Sequence, residues 1–232
     1  MTDINKYTSG DKAHVVARAL LGAIPYAGAA ATELLGLILT PPIEKRREQW
    51  MREIGEKLKE LAEKEIDISG LGENPQFIDT VLQATALALK TSDQEKITAL
   101  KNAIINTVLG EAPDLTLSQI FLNLIDNFTA WHIKILHLFN DPSDWFKNNN
   151  VPLPSYISAS LKNIATDAFP ELNGYGELID LIWSDLNRAG LTNTTSLSSM
   201  MSGNGLLAVR TTEMGKQFLK YIATKNLMNS ND

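Results

Sequence analysis

Three histidines are the first side chains to consider for catalysis or metal binding: His14, His132 and His137. His132 and His137 lie five residues apart, so they do not share one face of a helix, and the HEXXH spacing of zinc enzymes is absent. A metal site would need ligands brought from elsewhere in the chain. We therefore predict no metal site and expect the histidines at polar surface or interface positions.

No nucleophile, phosphate or dinucleotide motif accompanies the histidines. GxSxG, the P-loop and GxGxxG do not occur, and Gly203-Asn204-Gly205 is typical of a turn. Acid pairs such as Glu177 with Asp180 could support acid–base chemistry, but helical proteins commonly contain such pairs. The chain has no cysteine, which excludes thiolate nucleophiles, thiolate metal sites and disulfides. We predict no catalytic or cofactor-binding residue, no cofactor, no small-molecule substrate and a protein that is not an enzyme.

The charge balance disfavours nucleic acid as a partner. The chain carries 21 Lys and Arg against 27 Asp and Glu, a net charge of −6. Contacts to phosphate need clustered bases, yet residues 151–232 hold six basic and seven acidic side chains. A DNA-binding regulator is therefore the weakest of the functions considered below.

The segment from Ala19 to Ile43 is mostly apolar and holds one charge, Glu33, in 25 residues. Small residues recur in it every four positions, a stripe that lets two helices approach closely: Gly28, Thr32 and Gly36. A transmembrane span needs ~20 largely apolar residues. Pro25, Glu33 and the prolines at 41–42 interrupt the run. We expect an apolar helical hairpin over 11–40, either close-packed in the core or able to enter a membrane.

A basic cluster follows this segment directly: Lys45, Arg46 and Arg47. Such a cluster could contact anionic lipid headgroups. However, residues 43–65 contain seven bases and seven acids, with Trp50, Ile54, Leu58 and Leu61 at helical spacing. This pattern is typical of a solvated amphipathic helix, so the cluster is either a headgroup contact or a solvated helix start.

Hydrophobic spacing predicts helices along almost the whole chain and no sustained strand alternation. The helices after residue 65 are expected over 75–90, 92–109, 115–128, 130–139, 156–168, 176–187 and 212–224. Gly110 is expected to end one of them, and Thr129 to cap another. In the helix over 176–187, the spacing of Leu178, Ile182 and Leu186 indicates the buried face. The loose polar segment 189–205 and a short strand over 206–210 precede the last helix.

These elements predict an all-α fold in two parts. Residues 1–112 form an N-terminal helical region, the hairpin with a helical bundle. Residues 113–232 form a winged-helix-like unit that serves as a protein-interaction domain. Tryptophans near helix ends in this second part are either core filling or a partner surface: Trp131, Trp145 and Trp183.

Residues 77–140 and 206–223 resemble bacterial proteins of the abortive-infection alpha type and their uncharacterised relatives. The matching pieces are FIDTVLQATALALKTSDQEKITALKNAIIN, IFLNLIDNFTAWHIKILHLFNDP and LLAVRTTEMGKQFLKYI. The resemblance implies a helical region before a winged-helix-like domain that ends in a Thr–Gly–Phe helix, here Thr212, Gly215 and Phe218. It also implies an intracellular bacterial protein in phage defence. The family offers no agreed catalytic residues to transfer.

Three functions follow from this sequence. The first is a cytoplasmic helical sensor or adaptor, in phage defence or a stress response, that binds a protein partner or a second copy of itself. The second is an effector whose N-terminal hairpin inserts into lipid, so that the protein becomes peripheral to the membrane on activation. The third is a winged-helix DNA-binding regulator.

Overall fold

The structure is a computed structural model and describes residues 41–224. Apolar side chains at helical spacing give helices throughout this part of the chain. The predicted hairpin over 11–40 and its stripe of Gly28, Thr32 and Gly36 lie outside the described residues. Between residues 41 and 224 the chain forms ten α-helices and one two-stranded sheet, which confirms the all-α class.

The elements are numbered here in chain order. They are α1 (Pro41–Glu63), α2 (Pro75–Lys90), α3 (Gln94–Val108), α4 (Leu115–Asn127), α5 (Ala130–Asn140), α6 (Pro142–Asn148), β1 (Ser158–Ser160), α7 (Leu161–Ala168), α8 (Gly176–Arg188), β2 (Met200–Ser202), α9 (Gly203–Leu206) and α10 (Glu213–Ile222). Short 3-10 turns cover Leu71–Glu73 and Pro170–Leu172.

The chain divides into two compact units, 1–64 and 65–232. In the first unit, three residues of the stripe predicted on α1 are buried, with Trp50, Ile54 and Leu61 each at most 6% exposed, and Leu58 is half-buried. Among the helices of residues 41–224, none is both long and apolar enough to cross a bilayer.

The second unit has its core among α2, α3, α4, α5 and α10. Helix α2 lies against α3 and α4, and α10 lies against α3 and α5. Fully buried aromatic rings join these helices, with Phe121 of α4 edge-on to Phe218 of α10 at 5.3 Å between centroids. Because α2 and α3 share this core with the later helices, the units do not separate at the predicted position 112–113.

The helix ends follow local capping chemistry. Asn74 accepts the Phe77 N–H through its side chain and Pro75 follows at the first helical position, so α2 begins as predicted. Gly110 has φ +69°, a left-handed conformation that glycine adopts without strain, and it follows the last turn of α3 as expected.

The two strands are not where the sequence predicted one. Residue 206 closes the short helix α9, and the strands are β1 and β2, paired antiparallel with Ser158 opposite Ser202 and Ser160 opposite Met200. The predicted helix over 156–168 begins only at residue 161. Asn163 Oδ1 accepts the Ser160 N–H at 3.0 Å, which caps α7 there and leaves the preceding residues free to pair.

The Thr–Gly–Phe pattern has a physical basis at the start of α10. Thr212 Oγ1 accepts the Gly215 N–H at 3.0 Å, and Phe218 is fully buried. A Cβ at position 215 would overlap the carbonyl oxygen of Leu191, so the close approach of these two backbones requires glycine.

Candidate functional site

The three predicted tryptophans do not form one partner surface. Trp183 is 1% exposed, lies edge-on to Phe139 at 5.0 Å, and donates from Nε1 to the Thr194 carbonyl. It is a core residue, because a ring on the inner side of α8 cannot reach a partner. Trp131 and Trp145 are half-buried and both lie edge-on to Phe169.

The histidines of α5 separate as their spacing predicted, with His132 buried and His137 exposed. The expected surface position is therefore wrong for His132, which is 6% exposed. The Thr129 N–H donates to His132 Nδ1 at 3.1 Å, so this nitrogen is the acceptor and Nε2 carries the proton in the neutral ring. The ring of Phe128 stacks on the imidazole at 4.7 Å. These contacts fix the position of the imidazole at the start of α5.

Asp185 of α8 faces the other side of the imidazole. Its Oδ2 lies 3.5 Å from His132 Nε2, and its Oδ1 accepts from Arg188 Nη1 at 3.1 Å. Burial lowers the pKa of His132 from its usual 6.5, and Asp185 opposes part of that shift. The imidazole is therefore neutral at pH 7.

Thr129, His132 and Asp185 place a hydroxyl, an imidazole and a carboxylate in sequence, with Thr129 Oγ1 2.9 Å from Nδ1. An active nucleophile needs a free lone pair on the base to take its proton. Here the Thr129 N–H already occupies the Nδ1 lone pair. These contacts account for the capping of α5 and place the imidazole beside Asp185 of α8, although His132 Nε2 makes no hydrogen bond at the 3.5 Å separation.

An open groove of about 400 Å³ lies beside this group, at the C-terminal ends of α4 and α8. We call it the α4–α8 groove. Its lining residues are Leu124, Asn127, Phe128, Asp185, Arg188 and Ala189. The lining combines apolar side chains with an amide, a carboxylate and a guanidinium. Such a lining can hold an apolar side chain and hydrogen-bond the groups around it.

The outward side of α8 extends the α4–α8 groove. Leu181 precedes Asp185 by four residues and Leu178 precedes it by seven, so these side chains lie on one side of the helix. Leu181 is 57% exposed and Leu178 is 37% exposed. We call Leu178 and Leu181 with the groove the α8 surface.

Sequence reasoning missed the α8 surface because it assigned Leu178 to the buried face. The side chains that are buried are Ile179, Ile182, Trp183 and Leu186. The helical spacing in the sequence could have shown this. The four buried residues form one apolar face of the helix, and Leu178 and Leu181 lie outside that face.

The predicted basic cluster lies on α1, where Lys45, Arg46 and Arg47 are exposed and Arg47 Nη1 is 3.9 Å from Glu44 Oε2. Across residues 41–224, no group of three or more His, Asp or Glu side chains is arranged to hold a metal ion.

Comparison with family models, with curated proteins and with solved structures finds no match to this chain. Membership of the abortive-infection alpha group stays a prediction.

Proposed function

We propose that this chain is an adaptor or sensor that binds a protein partner through the α8 surface. The observation that carries the proposal is the exposure of Leu181 and Leu178 on the side of α8 that carries Asp185, a lining residue of the α4–α8 groove. Exposed leucines cost free energy in water, and a contiguous group of them beside a concavity is typical of a protein-interaction site.

The order of elements supports a winged-helix-like unit in which α8 takes the position of the recognition helix. In chain order α5, α6, β1, α7 and α8 are followed by the loop to β2, the short helix α9 and then α10. The charges of α8 favour a protein over DNA. Its acids are Glu177, Asp180 and Asp185 against the single base Arg188, and a phosphate backbone would be repelled by that balance.

Site-specific photo-crosslinking tests the proposal directly. A photo-reactive amino acid replaces Leu181 in the full chain, expressed in bacterial cells with and without phage infection. The matched control is Leu82 on α2, which is 66% exposed. We expect a discrete protein adduct from position 181 and none from position 82. Equal adducts at the two positions, or none at position 181 in either condition, would contradict the proposal.

Membrane contact is the second candidate function, and one observation favours it. The consecutive bases Lys45, Arg46 and Arg47 are all exposed, and α1 also exposes Ile43 (36%) and Met51 (54%). Bases beside exposed apolar side chains are suited to an anionic bilayer surface.

Vesicle sedimentation separates this function from the first. Each base near an anionic surface contributes about 1 kcal/mol, so replacing the three with Gln should weaken binding about a hundredfold. The matched control replaces Lys57, Lys59 and Lys64 of the same segment with Gln. Equal loss in the two variants, or no binding of the unmodified protein to vesicles rich in phosphatidylserine, counts against membrane contact.

A further inference from the structure

The two strands of the sheet lie within the stretches 148–161 and 189–209, which together contain no Asp, Glu, Lys or Arg. The chain as a whole is 21% charged, so 35 residues would ordinarily hold about seven charges. The pairing of β1 with β2 brings the two uncharged stretches together. The uncharged character therefore belongs to one region of the fold, although the stretches are 27 residues apart in the sequence.

This region also exposes large apolar side chains. Ile157 is 97% exposed, Met200 67%, Leu153 54% and Tyr156 36%. Met200 lies in β2, Tyr156 and Ile157 directly precede β1, and Leu153 lies five residues before β1. A fully exposed isoleucine makes no contribution to the core, so packing within the second unit does not account for its position.

The strands have an inner and an outer face. Ala159 is buried and pairs with Met201, which is half-buried. Side chains alternate along a strand, so Ser158, Ser160, Met200 and Ser202 share the opposite face. Of these, Ser158, Met200 and Ser202 are exposed. We call the exposed region the ribbon surface: Leu153, Tyr156, Ile157, Ser158, Met200 and Ser202.

Charged side chains border the ribbon surface. Lys162 Nζ pairs with Asp180 Oδ2 at 2.6 Å. Arg210 lies at the inner face, where its Nη2 donates to the Gly205 carbonyl and contacts Met201 Sδ. Both bases are therefore already bound to other groups, whereas Asp167 is a carboxylate that accepts a hydrogen bond from the Tyr156 hydroxyl at 3.1 Å.

Sheets usually protect their edges with charges, and this ribbon has none. Phosphate, in nucleic acid or in an anionic headgroup, would find no base on the outer face. Each chain carries a net charge of −6, so two copies repel each other over most of their surfaces. Two copies of the ribbon surface can meet without this repulsion, because its residues are uncharged and largely apolar. A two-fold interface requires this kind of self-complementarity, because the same patch is used by both copies.

We propose that the ribbon surface binds the ribbon surface of a second copy of this chain and forms a two-fold dimer. The strands are three residues long, so the contact area is at the small end of specific interfaces and the dimer is expected to dissociate in the micromolar range. This interface is separate from the α8 surface and does not depend on it.

The mass of the full chain in solution tests the dimer. Light scattering between about 1 and 100 µM is expected to show a mass that rises from 25.5 kDa toward twice that value. The double variant Ile157→Lys with Met200→Lys removes two exposed side chains and adds two like charges at a self-contact. We expect its dissociation constant to rise at least about tenfold. The matched control is Leu82→Lys, which should dimerise as the unmodified chain does.

A cysteine probe gives a second measurement, because the chain contains no other cysteine. In Ile157→Cys, a short bis-maleimide is expected to link two copies, whereas Leu82→Cys should stay unlinked. A single-chain mass at every concentration would overturn the proposal. So would a dimer that the Ile157→Lys and Met200→Lys changes leave intact, an assembly that grows beyond two copies, or equal crosslinking at positions 157 and 82.

Discussion

Replacement of Asn106 tests how the last helix is held in the second unit. Asn106 lies on α3, is 3% exposed, and donates from Nδ2 to the carbonyls of Lys220, Tyr221 and Ala223 at 3.2, 2.8 and 3.1 Å. These carbonyls belong to the last turn of α10 and the residue after it, where the helix supplies few backbone donors. The Lys220 carbonyl also accepts the Ala223 N–H at 3.3 Å. The buried Asn106 amide therefore donates to three carbonyls at the C-terminal end of α10.

The expected loss follows from these contacts. The two N–H groups of the amide serve three carbonyls, and a net hydrogen bond contributes about 1 kcal/mol. A buried carbonyl left without a donor costs roughly another 1–3 kcal/mol. We expect Asn106→Ala to lower the free energy of unfolding by about 3 kcal/mol. At about 2–4 °C per kcal/mol for a chain of this size, the Tm should fall by about 6–12 °C.

Two further variants sharpen this prediction. Asn106→Asp keeps the shape but replaces both donors with an acceptor that faces three carbonyl oxygens, so its loss at pH 7 should exceed that of Asn106→Ala. Asn102, one turn earlier and half-buried, donates to the Ile222 carbonyl and to Thr224 Oγ1. Asn102→Ala should cost about 1 kcal/mol.

Urea unfolding followed by circular dichroism measures these free energies, with the m-value checked for each variant. Two results would refute the reasoning: a loss below about 1 kcal/mol for Asn106→Ala, or an Asn106→Asp protein as stable as Asn106→Ala. Either result would mean that the carbonyls of α10 find other hydrogen-bond donors.

Three other predictions concern single residues. Gly215→Ala should cost about 2–3 kcal/mol in thermal unfolding because the new Cβ overlaps the Leu191 carbonyl, whereas Gly72→Ala, with open space around it, should change little. Burial keeps the pKa of His132 below 6.5, so on acidification the unfolded chain binds a proton before the folded chain does. The free energy of unfolding should therefore fall as the pH drops below about 6.5, by at most about 1.4 kcal/mol per pH unit. His132→Gln should show a shallower slope between pH 6.5 and 5, and equal slopes for the two proteins would contradict this. Thr212→Val removes the acceptor for the Gly215 N–H and should cost about 1 kcal/mol in urea unfolding, so an unchanged midpoint would argue against the cap.

Local chemistry made most helices predictable. The stripe of Trp50, Ile54, Leu58 and Leu61 predicted α1, in which Leu58 is half-buried and the others are buried, and Gly110 was correctly expected to follow α3. Each of these signals acts over a few residues, so the sequence contains them in full. The strands were not predictable in this way, since β1 and β2 pair across about 40 residues and neither is long enough to show alternation.

The candidate sites depended more on the fold. His132 and His137 were correctly expected on different faces of a helix, but the contact of His132 with Asp185 joins two elements that are distant in sequence. For Trp183 the sequence left core filling and a partner surface open, because residue type alone does not reveal which side of α8 the ring occupies.

The sequence by itself determined the all-α class of residues 41–224, the helix ends at Gly110 and Thr129, and the absence of cysteine chemistry. These follow from composition, from the 3.6-residue period and from side chains that bond to their own neighbouring backbone. Only the tertiary structure decided that Leu178 and Leu181 are exposed on the side of α8 that carries Asp185, a residue of the α4–α8 groove, and that two uncharged stretches meet at the ribbon surface. Which polar or apolar side chains become neighbours depends on how the helices are placed, and contacts between distant segments set that placement.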